Sequence, residues 1–375
     1  MMRATITKRA DIGTGMKELN RRTFAKAALA TSLVAAPRAR AASRPDPFDY
    51  RGADRQKLLE DGARREGRLM FYSALIPNLG LRAIVNGFKK KYPFVAIESW
   101  RGTEVNITQK MLAEIRAGAP VGDALEGSEL APLFLKSGLL QKFTSPELEK
   151  IPPLYRDKSG QSAATRFSYY GTAYNTKLVP TGTQPKTFQD LLDPKWKNRM
   201  AWRVGSTSGA HMFVANIMLT MGDAAANAYL QRLAVQNIVA FNGAANALID
   251  RVVAGEYAIT LTTAQHLPII AATKGAPVAA YPLQPMPSAV ASIMIPKGTK
   301  NPHAAMLFVD YVLSAEGQTV LRDGQYFPTN SEVQPLKELW PVSPRLAGLK
   351  ENFISDEVLY ETQAKVESLF KKYFG

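Results

Sequence analysis

A stretch of small and hydroxyl-bearing residues in the middle of the chain carries the side chains best suited to bind an anion. It reads Arg203-Val204-Gly205-Ser206-Thr207-Ser208-Gly209-Ala210, and a predicted helix that contains Phe213 and Ile217 follows it. Backbone N–H groups at the start of a helix, small hydroxyl groups and a guanidinium all donate hydrogen bonds to an anion. The pattern therefore predicts an anion site formed by Arg203, Ser206, Thr207 and Ser208. An ordinary Ser/Thr helix cap without a ligand is the alternative.

Polar residues that follow two predicted strands are the next candidates. A buried strand is predicted over 68–73 and a second over 94–100, and the helix between them ends at the basic run 89–91 and a proline. Ligands of such open α/β sheets bind beyond the carboxyl ends of the strands. Ser73 and Thr103 are therefore predicted to contact the ligand, with plain connecting loops as the alternative. Asp123 and Glu126 are interpreted as solvated or capping carboxylates.

The residues offer little support for catalysis. The three histidines, His211, His266 and His303, are too far apart in sequence for a recognisable metal site, and the chain has no cysteine. Nucleophile-elbow, zinc-protease, P-loop and dinucleotide-binding motifs are also missing from the sequence. We therefore expect no catalytic residue, no resident metal and no cofactor. A secreted hydrolase that uses Ser206 or Ser208 with His211 is the alternative of another class.

Two long extended segments divide the rest of the chain. They are predicted over 166–175 and 282–295, and the residues between them form a second α/β series, with helices near 208–221, 224–233 and 244–254 and a strand over 257–261. Such a pair of segments is what a two-stranded hinge requires. After the second segment, Asn301 is predicted to cap a helix that begins at Pro302, and His303 is predicted to lie at the surface.

The first 41 residues have the features of a twin-arginine export signal. Arg21 and Arg22 precede a short, uncharged run of small residues over 27–36, and Ala39 and Ala41 suit a signal peptidase. We expect cleavage after Ala41 and export to the periplasm. The apolar run is shorter than the roughly 20 residues that cross a bilayer, which argues against a membrane anchor.

Length and charge set the class of protein. Nine of the 47 basic residues and two of the 32 acidic residues lie in the leader, so the net charge falls from +15 to +8 once residues 1–41 are removed. The remaining 334 residues exceed what one compact core usually contains, which predicts two lobes. The basic residues are scattered, so we expect no nucleic-acid binding.

An ordered series of short motifs resembles one known family. The motifs are Tyr72-Ser73, residues 88–93, Tyr174-Asn175-Thr176, residues 190–197, Ala254-Gly255-Glu256-Tyr257, residues 274–277 and residues 301–318. Together they resemble the ferric-ion-type branch of the bacterial extracellular solute-binding proteins, which supply ABC importers, over roughly residues 50–335. The resemblance implies an α/β, two-lobed periplasmic-binding-protein-like fold of type 2, in which each lobe is a mixed sheet flanked by helices and two hinge strands join the lobes. The expected lobes are residues 42–168, 169–286 and 287–375, the last returning to the first lobe with C-terminal helices.

The resemblance is weaker for the ligand. Ferric-binding members hold the ion with two neighbouring tyrosines after a strand of the second lobe, and this sequence has Thr262-Thr263-Ala264-Gln265-His266 at that place. Threonine is a poor ligand for ferric ion. The alignment places His266 beside the cleft, and Thr262 joins it as a candidate ligand contact. Tyr169 and Tyr170 are adjacent on a strand, so they point to opposite faces and are interpreted as packing residues.

These observations predict a monomeric periplasmic protein that delivers a small, anionic organic solute to the membrane permease of an ABC importer. A phosphonate, sulfonate or carboxylate would suit the candidate contacts, namely Ser73, Thr103, Arg203, Ser206, Thr207, Ser208, Thr262 and His266. Iron, as the ferric ion or a ferric complex, is the alternative ligand within the same transport class.

Overall fold

The computed structural model describes residues 45–128, 130, 134, 137–205 and 207–375, with only the backbone of Thr207. The expected leader over 1–41 and Ser206 lie outside the described residues. Within the described part of the chain, no helix is long and apolar enough to cross a membrane. Residues from Pro45 to Gly375 form one compact unit.

The helices of this unit are numbered here in chain order. They are α1 Arg55–Glu66, α2 Arg82–Lys91, α3 Glu104–Arg116, α4 Met212–Met221, α5 Asp223–Ala234, α6 Ala245–Ala254, α7 His266–Thr273, α8 Pro302–Leu313, α9 Ala315–Asp323, α10 Pro344–Ala347 and α11 Asp356–Phe374. Two wide π-helical turns, Pro77–Leu81 and Thr207–His211, lead directly into α2 and α4. Glycines at positive φ end α1 and α6, because a left-handed residue closes a helix without a Cβ clash (Gly67, φ 68°; Gly255, φ 83°).

The strands form a single hydrogen-bonded path. They are β1 Arg68–Ser73, β2 Ala96–Arg101, β3 Ala124–Ser128, β4 Ser162–Asn175, β5 Met200–Val204, β6 Val239–Asn242, β7 Ile259–Ala264, β8 Val278–Tyr281, β9 Met286–Met294, β10 Phe327–Pro328 and β11 Glu351–Phe353. The order is β2-β1-β3-β9-β4-β7-β5-β6, with β8 and β10 paired to β4 and β11 paired to β9. The expected mixed α/β architecture is confirmed.

The long strands β4 and β9 connect the two ends of this path. They run antiparallel from the pair Ser162 and Met294 to the pair Tyr169 and Ser288. Beyond that point β4 leaves β9 and pairs with β7 and β8 instead. The two extended segments expected from the sequence are therefore neighbouring strands, and the parallel β1, β2 and β3 lie on one side of them while β5, β6 and β7 lie on the other.

Two large hydrophobic clusters cover the sheet. In the first, Phe71 of β1 packs against Phe308 of α8 with ring centroids 4.7 Å apart. In the second, Trp202 of β5 packs against Phe213 of α4 and Phe374 of α11. The C-terminal helix α11 thus belongs to the second cluster, whereas the expected boundaries place residues 287–375 with the first part. Apolar side chains on one face of α11 find their partners on α4 and β5, which sequence order does not reveal.

The start of α8 differs from the expected cap at Asn301. Asn301 does not cap the helix, because its amide donates to the Asp123 carboxylate at 2.9 Å. Instead Glu66, the last residue of α1, accepts hydrogen bonds from the backbone N–H groups of His303 and Ala304. His303 also contacts Glu66 through its ring, and it is partly buried between the two helices.

Candidate functional site

A small polar cavity opens where the carboxyl end of β7 meets β4 and the beginning of α7. Its volume is about 120 Å³. The polar residues that line it are Glu104, Ser128, Arg166, Ser168, Tyr170, Arg203, Ser208, Thr262, Thr263, His266 and Tyr326; the apolar residues are Ala74, Ile76, Ala245, Leu248, Ala264 and Leu267. Four of the predicted contacts, Arg203, Ser208, Thr262 and His266, meet here although they come from four separate elements.

One face of β4 supplies three of the lining side chains. Arg166, Ser168 and Tyr170 alternate along the strand and point into the cavity, whereas Phe167 and Tyr169 pack into the first hydrophobic cluster. This alternation follows from the period of two residues in a β-strand. The expected opposite orientation of Tyr169 and Tyr170 is confirmed, but Tyr170 lines the cavity in addition to its packing in the second cluster.

Arg166 is a buried cation at the floor of the cavity. Its Nη2 lies 3.2 Å from Oε1 of Glu126, and its Nη1 donates weakly to the Ser128 hydroxyl at 3.4 Å. The guanidinium carbon is 5.0 Å from the centre of the Tyr326 ring. The Nε of Arg166 is buried and has no hydrogen-bond partner among the described residues. Burying an N–H group without an acceptor is costly, so the site leaves a donor available to a ligand.

His266 begins α7 beside this arginine. It is 7% exposed, and its ring centre lies 5.4 Å from that of Tyr326. Burial lowers the pKa of His266 to about 3, and the positive charge of Arg166 contributes to the decrease. The imidazole is therefore neutral at physiological pH and has one N–H donor and one acceptor nitrogen.

The loop after β5 brings a second guanidinium to the cavity. The side chain of Arg203 donates to the Ser208 hydroxyl across the turn that precedes α4. Gly209 makes this turn possible, because a Cβ at that position would lie 2.1 Å from the carbonyl oxygen of Arg203. The predicted association of Arg203 with the hydroxyl run is thus found for Ser208. Thr207 contributes its backbone to the turn, and Ser206 lies outside the described residues.

The end of β7 presents hydroxyl groups where a ferric site would present phenolates. Thr262 and Thr263 are both buried and both line the cavity. The Oγ1 of Thr263 has no hydrogen-bond partner among the described residues. Nε of Arg166 and Oγ1 of Thr263 are thus two buried polar atoms of residues that line the cavity, and a bound solute could form hydrogen bonds with both.

Two predicted contacts lie elsewhere. Ser73 is fully buried and does not line the cavity; its hydroxyl donates to Oε2 of Glu126 at 2.7 Å. Thr103 is exposed, and its hydroxyl caps α3 by accepting the N–H of Asn106 at 3.3 Å. Thr103 therefore serves as a helix cap, a role that the sequence analysis did not assign to it, and Ser73 contacts the site only through Glu126. Glu126, interpreted from sequence as a solvated or capping carboxylate, is instead the buried partner of Arg166.

Arg166 and Tyr326 are among the lining residues that sequence reasoning missed, together with Ser128 and Ser168. The signal for Arg166 was its charge within the otherwise apolar and hydroxyl-bearing strand 162–175, because such a position is buried and an arginine there needs a partner. Tyr326 precedes a strand of two residues and carries no comparable signal.

A larger cavity lies at the other end of the β4–β9 ladder. It has a volume of about 470 Å³ and is lined by the loop 154–162 and by the beginning of α11, including Asp157 and Asp356. Of the predicted contacts whose side chains the structure describes, none lines this larger cavity. The smaller cavity is the candidate functional site because it combines two arginines with two buried, unsatisfied polar atoms. Among the described residues, no group of three or more histidine, aspartate or glutamate side chains is placed to hold a metal ion.

Comparison with known proteins identifies a family that matches most of the chain. A family model described as bacterial extracellular solute-binding protein matches residues 83–347. An Fe(3+)-binding periplasmic protein of Serratia marcescens is 23% identical over 291 residues, which cover 72% of this chain and 83% of that protein.

Solved structures share the fold at low sequence identity. Iron-bound HitA from Pseudomonas aeruginosa has a TM-score of 0.71 and 21% identity. The match covers 82% of this chain and 99% of that one. The periplasmic binding protein AfuA from Actinobacillus pleuropneumoniae, with exogenous fructose-6-phosphate bound, has a TM-score of 0.69 and 24% identity over 82% of this chain and 98% of that one. These likenesses show a common fold.

Proposed function

Since the chain belongs to the family of bacterial extracellular solute-binding proteins, we propose that it binds a small anionic solute in the cavity beside Arg166 and delivers it to the permease of an ABC importer. The family consists of binding proteins, and no lining residue is assigned a catalytic role. The direct contacts proposed for the solute are Arg166, Ser168, Arg203, Ser208, Thr262, Thr263 and His266.

The observation that carries this proposal is the buried donor set around Arg166. The Nε of Arg166 faces no acceptor in the described structure, and Arg203 and Ser208 reach the same cavity from another element. An oxyanion is the ligand that accepts from several such donors at once, and charge-assisted hydrogen bonds are roughly twice as strong as neutral ones. A neutral His266 adds a donor without adding charge.

Iron is the second candidate ligand. The Serratia relative and HitA are described as iron-binding, and Tyr170, Tyr326 and Glu104 line the cavity with oxygen atoms of the kind that ferric ion prefers. Against iron, the end of β7 carries Thr262 and Thr263, and burial raises the pKa of Tyr326, which disfavours the phenolate. We therefore place an anionic solute first.

The hydrolase alternative has less support. Ser208 contacts Arg203, whereas His211 packs its ring against Phe370 of α11 at 5.2 Å and does not line the cavity. A serine nucleophile needs its base within hydrogen-bond reach. Ester or amide turnover that is abolished by His211→Ala would contradict the binding function.

Export and lobe closure complete the proposal. We propose that residues 1–41 direct export through the twin-arginine route, that the protein acts as a periplasmic monomer, and that β4 and β9 form the hinge between two lobes. The antiparallel pairing of these strands and the family's extracellular location support this arrangement.

A thermal-shift screen over small anions and metal ions tests the function. A solute at a hundredfold excess over its Kd stabilises the folded state by about 2.7 kcal/mol, which raises the melting temperature by several degrees. Arg203→Met should remove the shift. Arg232→Met, which replaces an exposed arginine of α5, should retain it. Stabilisation by ferric ion alone, without response to any anion, would favour the second candidate.

A further inference from the structure

The charges around the cavity nearly cancel. Arg166 and Arg203 line it, Glu104 lines it as well, and Glu126 forms an ion pair with Arg166 from behind. His266, which also lines the cavity, adds no charge, because its pKa is lowered to about 3 and the imidazole is neutral. The two cations and two anions among these described residues therefore leave no net charge. If the buried solute had a large net charge, that charge would have no counter-charge in the cavity. Burying an uncompensated charge away from water raises the free energy of the complex.

The charges are also separated between elements. Arg203 comes from the end of β5 and holds Ser208 in the turn before α4. Glu104 is the first residue of α3, on the side of the sheet that contains β1 and β2. A solute that reaches from one side to the other therefore meets a cationic group at one end and a carboxylate at the other.

Glu104 is suited to receive a cation. Its carboxylate makes no hydrogen bond or ion pair with any residue that the structure describes, and its charge acts on Arg166 only at longer range. The N-terminus of α3 is already capped by Thr103. A carboxylate at the first helical position is favourable on its own, because it lies at the positive end of the helix dipole. That explanation accounts for the charge at this position, but it does not account for its place on the wall of a cavity that Arg203 also lines.

Building on the proposed function, we infer that the solute is a zwitterion, whose anionic group is bound at Arg203 and Ser208 with Arg166 and whose protonated amine contacts Glu104. The substrate class is therefore a small amino-substituted carboxylate, sulfonate or phosphonate, and a simple anion binds more weakly. Glu104 is the specificity-determining residue, because it discriminates between two solutes that share the same anionic group.

Matched pairs of probes test this inference by isothermal titration calorimetry. The pairs are β-alanine and propionate, taurine and ethanesulfonate, and 2-aminoethylphosphonate and ethylphosphonate. In at least one pair the amine should improve affinity about tenfold or more, as one hydrogen bond between charged groups contributes. Glu104→Gln should remove most of that preference and leave the affinity for the amine-free partner unchanged or higher. Glu98→Gln, at an exposed position of β2, should retain the preference.

The outcomes separate the two proposals. If amine-free anions bind as tightly as their amine-bearing partners, the zwitterion inference is wrong while the proposed anion binding holds. If the amine improves affinity equally in wild type and Glu104→Gln, the assignment of Glu104 is wrong. If no member of any pair binds, both proposals fail. Thermal melting of Glu104→Gln checks that the variant is folded. Arg203→Met should weaken the binding of both members of a pair alike. Because a general loss of folding would also change thermal melting, an unchanged melting curve shows that the effect is on binding.

Discussion

The guanidinium of Arg166 on β4 lies 3.2 Å from the carboxylate of Glu126 on β3, and both side chains are less than one tenth exposed. Glu126 also accepts the hydroxyl groups of Ser73 at 2.7 Å and Thr165 at 3.3 Å. This buried pair links the parallel strands to the long strand that crosses the sheet, and it fixes the orientation of the arginine at the floor of the cavity.

Glu126→Gln should destabilise the protein strongly. The substitution leaves a buried guanidinium without its counter-ion, which costs roughly 3–5 kcal/mol. The free energy of unfolding in urea measures the loss. The double variant Arg166→Met/Glu126→Leu removes both charges and should recover much of this stability while losing anion binding. A Glu126→Gln variant as stable as the wild type would show that the pair contributes little to folding.

Glu66→Ala should weaken the start of α8. The Glu66 carboxylate accepts the backbone N–H groups of His303 at 3.1 Å and Ala304 at 2.8 Å, and no other cap is available from Asn301. Loss of a helix cap costs about 1 kcal/mol, and unsatisfied N–H groups add to it. Thermal melting measures the effect. Glu66→Gln keeps an acceptor oxygen and should therefore lose less stability than Glu66→Ala. An equal loss of stability in the two variants would contradict capping by hydrogen bonding.

Asp356→Asn should stabilise the protein only above mildly acidic pH. Burial, followed by the charge of Asp157, raises the pKa of Asp356 to about 7 from an ordinary value of 3.8. The folded protein therefore holds a proton that the unfolded chain releases, and the contribution of this group to stability falls as the pH rises from about 4 to 7. The asparagine variant avoids this loss, so it should gain roughly 1–2 kcal/mol at pH 8 and nothing at pH 4.

The matched control is Glu357→Gln, the exposed neighbour on the same first turn of α11. The cavity that contains Asp356 is also lined by Arg156, Asp157 and Lys158. These three residues are present in both variants, so they contribute equally to the pH dependence of stability. Melting temperatures measured from pH 4 to 8 should separate the two substitutions. A gain for Asp356→Asn that does not depend on pH would contradict the raised pKa.

Ferric ion supplied with citrate should give no visible absorption band. Such a band arises from phenolate bound to iron, and neither Thr262 nor Thr263 supplies a phenolate. Tyr170 and Tyr326 are the phenols that line the cavity. Tyr281 of β8 pairs with Thr172 of β4 and does not line it. Absorption spectroscopy of the purified protein is the measurement. A coloured complex that is lost in Tyr170→Phe or Tyr326→Phe would restore a ferric site at new positions.

Local patterns in the sequence determined most of the architecture. The strand over 68–73, the helices near 224–233 and 244–254, and the two long extended segments all follow from periodicities and from breakers such as Gly255. These features depend on neighbours within a few turns of chain, which is why they can be recognised without tertiary structure. The same local reasoning identified Arg203 and the hydroxyl run as an anion-binding candidate.

Only the tertiary structure decided which polar side chains share one cavity. Arg166 and Glu126 are 40 residues apart, Glu66 caps a helix that begins at Pro302, and α11 packs on β5 rather than on the first cluster. Each relationship depends on how strands and helices pack after the chain has folded, and a charge in the sequence does not identify its distant partner. The sequence therefore determined the elements and the family, whereas packing decided that Ser73 supports Glu126, that Thr103 caps α3, and that Arg166 lines the cavity.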